Sequence, residues 1–213
     1  MDEIERCVSL NSVDANLLRK QGSAWLDLLH ADMVLEARRD IPATAANVFV
    51  RRALWESAVI SYSRVGQSTK KRKIDLDALI AASKDPGASA FHNEIIKWRH
   101  GHVAHRHDAT FESVDTLLCL DGLSTPAALR IVVEPDVGPE DDEQLTEHFR
   151  AHVHLLRNTL WELFMVPLAT RLAERAQRRP ADLQGASPHP GGTAGFAATL
   201  TLWAANPAMK VSG

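Results

Sequence analysis

Residues 143–163 read EQLTEHFRAHVHLLRNTLWEL, and this stretch decides the fold class of the chain. Its apolar side chains recur every three or four residues and form one stripe: Leu145, Phe149, Val153, Leu156, Leu160 and Leu163. Such spacing is typical of an amphipathic helix that buries one face. The preceding residues 138–143, GPEDDE, favour a helix start because proline and acidic side chains suit the first turn. Pro167 is expected to kink the helix before it ends near residue 179.

Helical periodicity extends through the N-terminal half of the chain. It predicts a helix over residues 14–39, a second helix that Pro42 opens and that runs to about Val65, a short helix over residues 76–82, and a long helix from Ala88. Residues 116–120 and 129–134 read instead as two short strands of a small hairpin. The expected fold is therefore all-α, a helical bundle of four to five helices with a small β-hairpin insertion.

The C-terminal end differs in composition from the rest. Residues 1–178 are expected to form the helical domain, whereas residues 179–213 are rich in proline, glycine and alanine and read as a tail. Four apolar side chains of the tail are candidates for docking on the bundle: Phe196, Leu200, Leu202 and Trp203.

Composition narrows the function classes. The chain has 213 residues, 45% of them hydrophobic, and a formal net charge of −3, which argues against a generally basic, DNA-coating protein. Cys7 and Cys119 are far apart and lack a partner motif, so we expect neither a disulfide scaffold nor a thiolate zinc site. We see no signal peptide and no apolar run long enough to span a membrane. The expected location is the cytoplasm.

The residues most informative for function are 99–108, which read RHGHVAHRHD. Four of the ten histidines of the chain fall within this segment. One interpretation is a metal site, because His100, His102 and His105 have the spacing H-x-H-x-x-H, but Ala104 stands where the metallo-β-lactamase loop carries aspartate. A second metal hypothesis is a His-Asp-type phosphohydrolase, whose ligands would come from this set: His92, His107, Asp108, and Asp115 or Asp121.

A purely structural interpretation is also open. His102 and His105 share a predicted helix face with Phe91, Ile95 and Trp98. Histidines on such a face are often packed core residues without a catalytic role, and Arg99, Arg106 and His107 would then form a solvated face. In that case the chain would be a non-catalytic, dimeric helical interaction module.

Arg99, followed after five residues by His105, resembles the R-x(4–6)-H motif of the HEPN superfamily. The small residue Ala104 before the histidine and Asp108 shortly after it resemble abortive-infection-type members. The resemblance implies a helical, homodimeric, metal-independent endoribonuclease with RNA as its substrate and no cofactor. It also implies a role in a toxin–antitoxin or phage-defence system, with an antitoxin or regulatory protein as a possible partner. The family more often has asparagine at the position of His100. His107 replaces a tyrosine that is modified in some members, so that mode of control is not implied.

The residue types fit RNA cleavage on chemical grounds. Histidine can carry a proton near neutral pH, and the planar guanidinium of arginine grips phosphate oxygens. We therefore assign Arg99 and His105 as catalytic, with His100, His102, Arg106 and Asp108 as auxiliary residues. On an unbroken helix Arg99 and His105 would lie roughly 120° apart around the axis. They can act together if the helix ends or distorts near Gly101, or if they line two edges of one groove. The resemblance implies that two protomers bring their motifs together and form a composite cleft.

Overall fold

The computed structural model describes residues 7–67, 69–70, 72–104, 113–121, 125–134, 143–179 and 199–205. The α-helices are α1 (Val13–Arg39), α2 (Val48–Gln67), α3 (Leu76–Ser83), α4 (Ala88–Trp98), α5 (Glu143–Thr159) and α6 (Val166–Arg178). A 3₁₀ turn (Ala45–Asn47) precedes α2, and π-helical turns follow α4 (Arg99–Ala104) and α5 (Leu160–Met165). Strands β1 (Ser113–Leu120) and β2 (Pro126–Glu134) pair as an antiparallel hairpin. The predicted helical bundle with a small β-hairpin is confirmed.

The core lies where α1, α2 and α5 meet. The largest fully buried side chains include Leu28 and Leu35 of α1, Trp55 and Tyr62 of α2, and Phe149 of α5. The rings of Trp55 and Tyr62 both meet Phe149 edge-on, with centroids 5.7 and 5.5 Å apart. Edge-to-face contacts of this kind add to the free energy gained by burying the rings.

An ion-pair cluster at the edge of this core ties α1 to α5. The largely buried carboxylate of Asp32 lies 3.0 Å from a guanidinium nitrogen of Arg157 and 2.9 Å from Nε2 of His154. Arg150 contacts both Asp32 and Glu36. These contacts fix the register of the two helices because each charged group has a specific partner across the interface.

The apolar stripe of residues 143–163 holds as far as Leu160, but the expectation for Leu163 is wrong. Phe149, Val153, Leu156 and Leu160 are buried, and Leu145 packs at the edge of the core. Leu163 is 56% exposed, and Met165 is buried instead. The reason is the π turn (Leu160–Met165), which adds a residue to the helical repeat and shifts the inward-facing positions. The π turn lies directly before Pro167, where a kink was expected. A proline lacks the N–H that a regular helix needs, so a regular helical hydrogen bond is missing at this position.

The predicted start of the second helix at Pro42 is also wrong. Thr44 is extended, with φ −128° and ψ 158°, and the regular helix begins at Val48. The Pro42 carbonyl accepts hydrogen bonds from the Thr44 N–H and the Asn47 side-chain amide, which closes a turn. Buried Arg51 donates to the carbonyl oxygens of Arg38 and Ile41 and so satisfies the C-terminal end of α1.

The hairpin has one apolar face that the rest of the described structure leaves exposed. Pairing of Val114 with Val133, Thr116 with Ile131, and Leu118 with Leu129 sets these side chains on one face. The members of this apolar face are Val114, Thr116, Leu118, Leu120, Leu129, Ile131 and Val133. Leu129 and Ile131 are 72% and 69% exposed. The opposite face is mixed, with Asp115 and Arg130 among its members.

The predicted tail is described over residues 199–205. Leu200 and Leu202 are half-buried and pack against the core, so two of the four docking candidates contact the bundle. Phe196 lies outside the described residues. Within the part of the chain that the structure describes, no helix combines the length and the apolar character needed to cross a bilayer.

Candidate functional site

Helix α4 positions the start of the histidine-rich segment. The Asp85 carboxylate accepts the Gly87 N–H just before the helix begins. Phe91 and Ile95 are buried on its inner face, as their spacing predicted. One turn later the ring of Trp98 packs edge-on against the buried Trp55 ring, with centroids 5.3 Å apart. The last turn of α4 is therefore held rigidly to the core, immediately before Arg99.

The helix distorts at the point that the motif requires. Residues Arg99–Ala104 form a π turn, with Gly101 in its middle, and this turn packs against α2. A π turn takes more residues than an α turn. Isolated π turns inside helices are frequent at functional sites. The distortion near Gly101 anticipated from the sequence is present, whereas His105 lies outside the described residues.

Two of the motif side chains are described in full. Arg99 is half-exposed, and His100 is exposed. A guanidinium nitrogen of Arg99 lies 3.4 Å from Nδ1 of His100, which is a long contact. Among the described residues, Arg99 has no carboxylate partner. A guanidinium can bind an external anion such as a phosphate through paired N–H donors.

The other predicted site residues are described in part or not at all. His102 lies in the π turn, and only its backbone is described. His105, Arg106 and Asp108 lie outside the described residues, as does His107. The exposure of Arg99 and His100 does not separate a functional site from the structural interpretation, which also places Arg99 on a solvated face. The burial of the His102 and His105 side chains lies outside what the structure describes.

The ligand set of the His-Asp metal hypothesis is not assembled by the residues described. Asp121 lies at the end of β1, where its carboxylate accepts the Thr125 N–H at 2.9 Å and closes the hairpin. Asp115 is exposed on the mixed face of the hairpin. Nδ1 of His92 is occupied by the Tyr62 hydroxyl. In the described parts of the chain, no group of three or more His, Cys, Asp or Glu side chains is arranged to hold a metal ion.

A second histidine cluster, which sequence reasoning missed, lies inside the bundle. The hydroxyl of fully buried Tyr62 (α2) lies 2.8 Å from Nδ1 of His92 (α4) and 2.9 Å from Nε2 of His152 (α5). His152 is only 4% exposed, whereas His92 is half-buried. We call these three residues the Tyr62 chain. One sequence signal could have revealed it: His152 is three residues after Phe149 and four before Leu156, on the buried stripe.

Burial keeps both imidazoles of the Tyr62 chain neutral. Burial, together with the neighbouring His92 and His148, lowers the pKa of His152 to about 4. Burial also lowers the pKa of His92, although the carboxylate of Asp77 opposes this shift. Burial raises the pKa of Tyr62, so its hydroxyl keeps its proton. The Tyr62 hydroxyl can therefore donate to one imidazole nitrogen and accept an N–H from the other.

No family model matches the chain, and comparison with curated proteins and with solved structures finds no similar protein. Function has to be argued from the geometry of the site itself.

Proposed function

We propose that the chain is a metal-independent endoribonuclease of the HEPN type, acting in the cytoplasm in a toxin or phage-defence role. The observation that carries the proposal is the half-exposed Arg99 guanidinium beside the exposed His100 imidazole, on a π turn at the end of a helix anchored in the core. Rigid attachment supports catalysis because a reacting group must be held in place. The Arg99 guanidinium would provide the cationic half of a phosphate site.

The reaction needs no metal ion. The ribose 2′-oxygen attacks the adjacent phosphorus, the bond from phosphorus to the 5′-oxygen breaks, and the products are a 2′,3′-cyclic phosphate and a 5′-hydroxyl. One base removes the 2′-hydroxyl proton, and one acid protonates the leaving 5′-oxygen. His105 is assigned a proton-transfer role, and Arg99 stabilises the charge that develops on the phosphate oxygens. His100, His102, Arg106 and Asp108 are assigned auxiliary roles in binding the substrate.

Two protomers are proposed to form the complete cleft, with one motif supplied by each. The apolar face of the hairpin supports this arrangement. Fully burying an aliphatic side chain removes on the order of 100 Å² of apolar surface, so six such half-exposed side chains leave a patch of roughly 300 Å². An isolated hairpin is marginally stable in water, so contact of this face with a second protomer would stabilise it.

A second copy of the chain is the partner that best fits this face. The face carries no charge, so two copies can meet across a twofold axis without repulsion. The hairpin is also tethered to the motif. Only residues 105–112 separate the π turn from β1, a reach of at most ~28 Å for extended chain. In a dimer that forms through the hairpin, this tether limits how far each motif can lie from the interface. An antitoxin or other regulatory protein would be a further partner.

The test is cleavage of total RNA and of a tRNA pool by purified protein in the presence of chelator. We expect His105→Ala to reduce the cleavage rate by about a hundred- to ten-thousandfold without lowering the melting temperature. Arg99→Lys keeps the charge but loses the planar fork, so its rate should fall as well. His30→Ala, at an exposed histidine of α1, is the matched control and should cleave at the wild-type rate. Wild-type cleavage by a folded His105→Ala variant would refute the catalytic assignment, and loss of cleavage in chelator would refute the mechanism.

The exposed apolar face of the hairpin also supports a second candidate function, a non-catalytic dimeric interaction module. Substitutions on the two faces of the hairpin distinguish this module from the endoribonuclease. Ile131→Lys places a charge on the apolar face, whereas Val132→Lys places one on the mixed face of the same strand. We expect Ile131→Lys to convert the dimer to monomer in sedimentation and to abolish RNA cleavage, and Val132→Lys to preserve both. A wild-type dimer without RNA cleavage would favour the interaction module, and a wild-type monomer at micromolar concentration would eliminate the composite cleft.

A further inference from the structure

Helix α6 has a strongly basic face. Four arginines fall within the last nine residues up to its end, Arg171, Arg175, Arg178 and Arg179, although the whole chain has a net charge of −3. The first three lie within roughly 60° of arc around the helix axis, and Arg179 follows the helix as its C-cap. All four side chains are exposed. We call these four residues the α6 arginine face.

Neither helix stabilisation nor ordinary solvation accounts for the whole of this face. Cations in the last turn of a helix offset its dipole, and Arg175 and Arg178 lie in that turn. Arg171 lies seven residues before the end of α6, beyond the reach of this effect. A solvated helix face usually carries charges of both signs, whereas Glu174 is the one acidic residue in the sequence of α6. Such an excess of one sign favours a partner of the opposite charge.

The contacts of the α6 arginine face are ones that a polyanion can replace. A cavity of about 590 Å³ lies against the face and is lined, among the described residues, by the four arginines and Glu174. A guanidinium nitrogen of Arg175 lies 3.0 Å from the Asp14 carboxylate, and one of Arg178 lies 3.0 Å from the Glu174 carboxylate. These two arginine side chains are 60% and 76% exposed, and exposed ion pairs contribute little to stability. Phosphate groups suit such a face because a guanidinium binds two of their oxygens with parallel N–H donors.

Within one protomer, the α6 arginine face and the π turn of the motif lie at opposite ends of α1. Arg175 pairs with Asp14, in the first turn of α1. Trp98, just before the π turn, packs on Trp55, whose ring lies 5.8 Å from the guanidinium carbon of Arg38 in the last turn of α1. The two ends are separated by roughly 36 Å of helix. A strand of stacked nucleotides advances roughly 3.4 Å per nucleotide, so about ten nucleotides span this distance.

We propose that the α6 arginine face binds the phosphate backbone of the substrate RNA, at a contact separate from the motif at residues 99–108. That the ligand is RNA rests on the proposed function. The four guanidinium groups bind phosphate oxygens, so they position the RNA without reading its sequence. An RNA of about ten nucleotides or more contacts both the face and the motif, and it therefore binds more tightly than a shorter one.

The direct test is the salt dependence of RNA binding, measured by fluorescence anisotropy. The probe is a labelled 2′-O-methyl RNA of about twenty nucleotides, which lacks the attacking 2′-hydroxyl, so binding is measured apart from cleavage. The variant is Arg171→Gln, Arg179→Gln, which leaves the ion pairs of Arg175 and Arg178 in place. We expect the slope of log affinity against log salt to become shallower by about 1.4, since each phosphate contact on a single strand contributes about 0.7. The affinity at physiological salt should fall by about tenfold.

The control variant Arg64→Gln, Lys84→Asn removes the same charge from exposed positions elsewhere, in α2 and at the end of α3. Asparagine suits position 84 because Lys84 has a positive φ of 58°. The control should keep the wild-type slope and affinity. Equal weakening in both double variants would overturn the proposal, as would failure of the wild type to bind the probe at micromolar concentration in low salt. If oligoglutamate of the same charge displaced the probe with equal affinity, the face would suit an acidic protein segment and the assignment to RNA would be wrong.

Cleavage kinetics distinguish failure of this proposal from failure of the proposed function. Arg171→Gln, Arg179→Gln should raise KM for an RNA of about twenty nucleotides by about tenfold with kcat unchanged, because the face binds the ground state and the transition state equally. The rise should be absent for a substrate of about four nucleotides, which is too short to reach both contacts. A wild type that binds the probe through α6 but cleaves no RNA would refute the endoribonuclease and support the α6 contact. Cleavage of the long RNA with an unchanged KM in the variant would overturn the α6 contact and leave the endoribonuclease standing.

Discussion

The two histidine clusters of this protein differ in almost every respect. The first is contiguous in sequence and presents Arg99 and His100 at the surface of a π turn. The second joins Tyr62, His92 and His152, which are up to 90 residues apart, through hydrogen bonds inside the bundle. The first cluster could be detected in the sequence because its residues are contiguous. The second could not, because its residues come together only when the helices pack. If the surface cluster is the RNA-cleaving site proposed above, it should control activity, and the buried chain should control stability.

The largest stability effect is expected from pH acting on His152. Its pKa is about 4 in the folded protein, against 6.5 for an ordinary histidine. The unfolded chain therefore binds more protons between these values, and stability is fully present above pH 6.5 and lost as pH falls toward 4. The groups facing His152 are His92, His148 and Asp85. Urea unfolding should show about 2 kcal/mol less stability at pH 5 than at pH 7.

The matched variant for this pH effect is His152→Gln, which keeps a polar group near the position of Nε2 but cannot titrate. We expect the dependence of stability on pH between 5 and 7 to become much shallower, whatever the stability of the variant at pH 7. If the slope of unfolding free energy against pH were unchanged in His152→Gln, other groups would cause the loss of stability at low pH. The buried cluster would then not be the source of the pH dependence.

A smaller effect is expected from Tyr62→Phe. This change keeps the buried ring but leaves Nδ1 of His92 and Nε2 of His152 without their shared partner. We expect a loss of about 1–2 kcal/mol in the free energy of unfolding. In a protein that already carries His92→Asn and His152→Gln, Tyr62→Phe should lower the free energy of unfolding by less, because the three groups are coupled. Additive losses in this double-mutant comparison would mean that the hydroxyl does not connect the two imidazoles.

The smallest stability effect is expected at the surface cluster. Arg99 is half-exposed and His100 is exposed, so Arg99→Lys and His100→Asn should change the free energy of unfolding by less than about 0.5 kcal/mol. Thermal unfolding at pH 7 measures this change. A loss comparable to that of Tyr62→Phe would place these residues in the structural framework and would weaken the contrast between a reactive surface cluster and a stabilising buried one.

The fold could be predicted where local periodicity matches burial. The spacing of Phe149, Val153 and Leu156 predicted the buried face of α5, and alternating apolar residues predicted the hairpin. The errors at Pro42 and Leu163 have local causes that periodicity does not contain. Thr44 is extended after Pro42, and a π turn displaces Leu163 from the core. Of the candidate site, the sequence provided the residues of the motif, whereas the π turn could be anticipated only as a distortion near Gly101.

By itself, the sequence determined the helices, the hairpin and the composition of the motif at residues 99–108, because propensity and apolar spacing act within a few turns of the chain. The tertiary structure alone decided which distant polar groups meet. The Tyr62 chain depends on the packing of α2, α4 and α5. Such contacts are set by packing between residues far apart in sequence, and no local pattern encodes them.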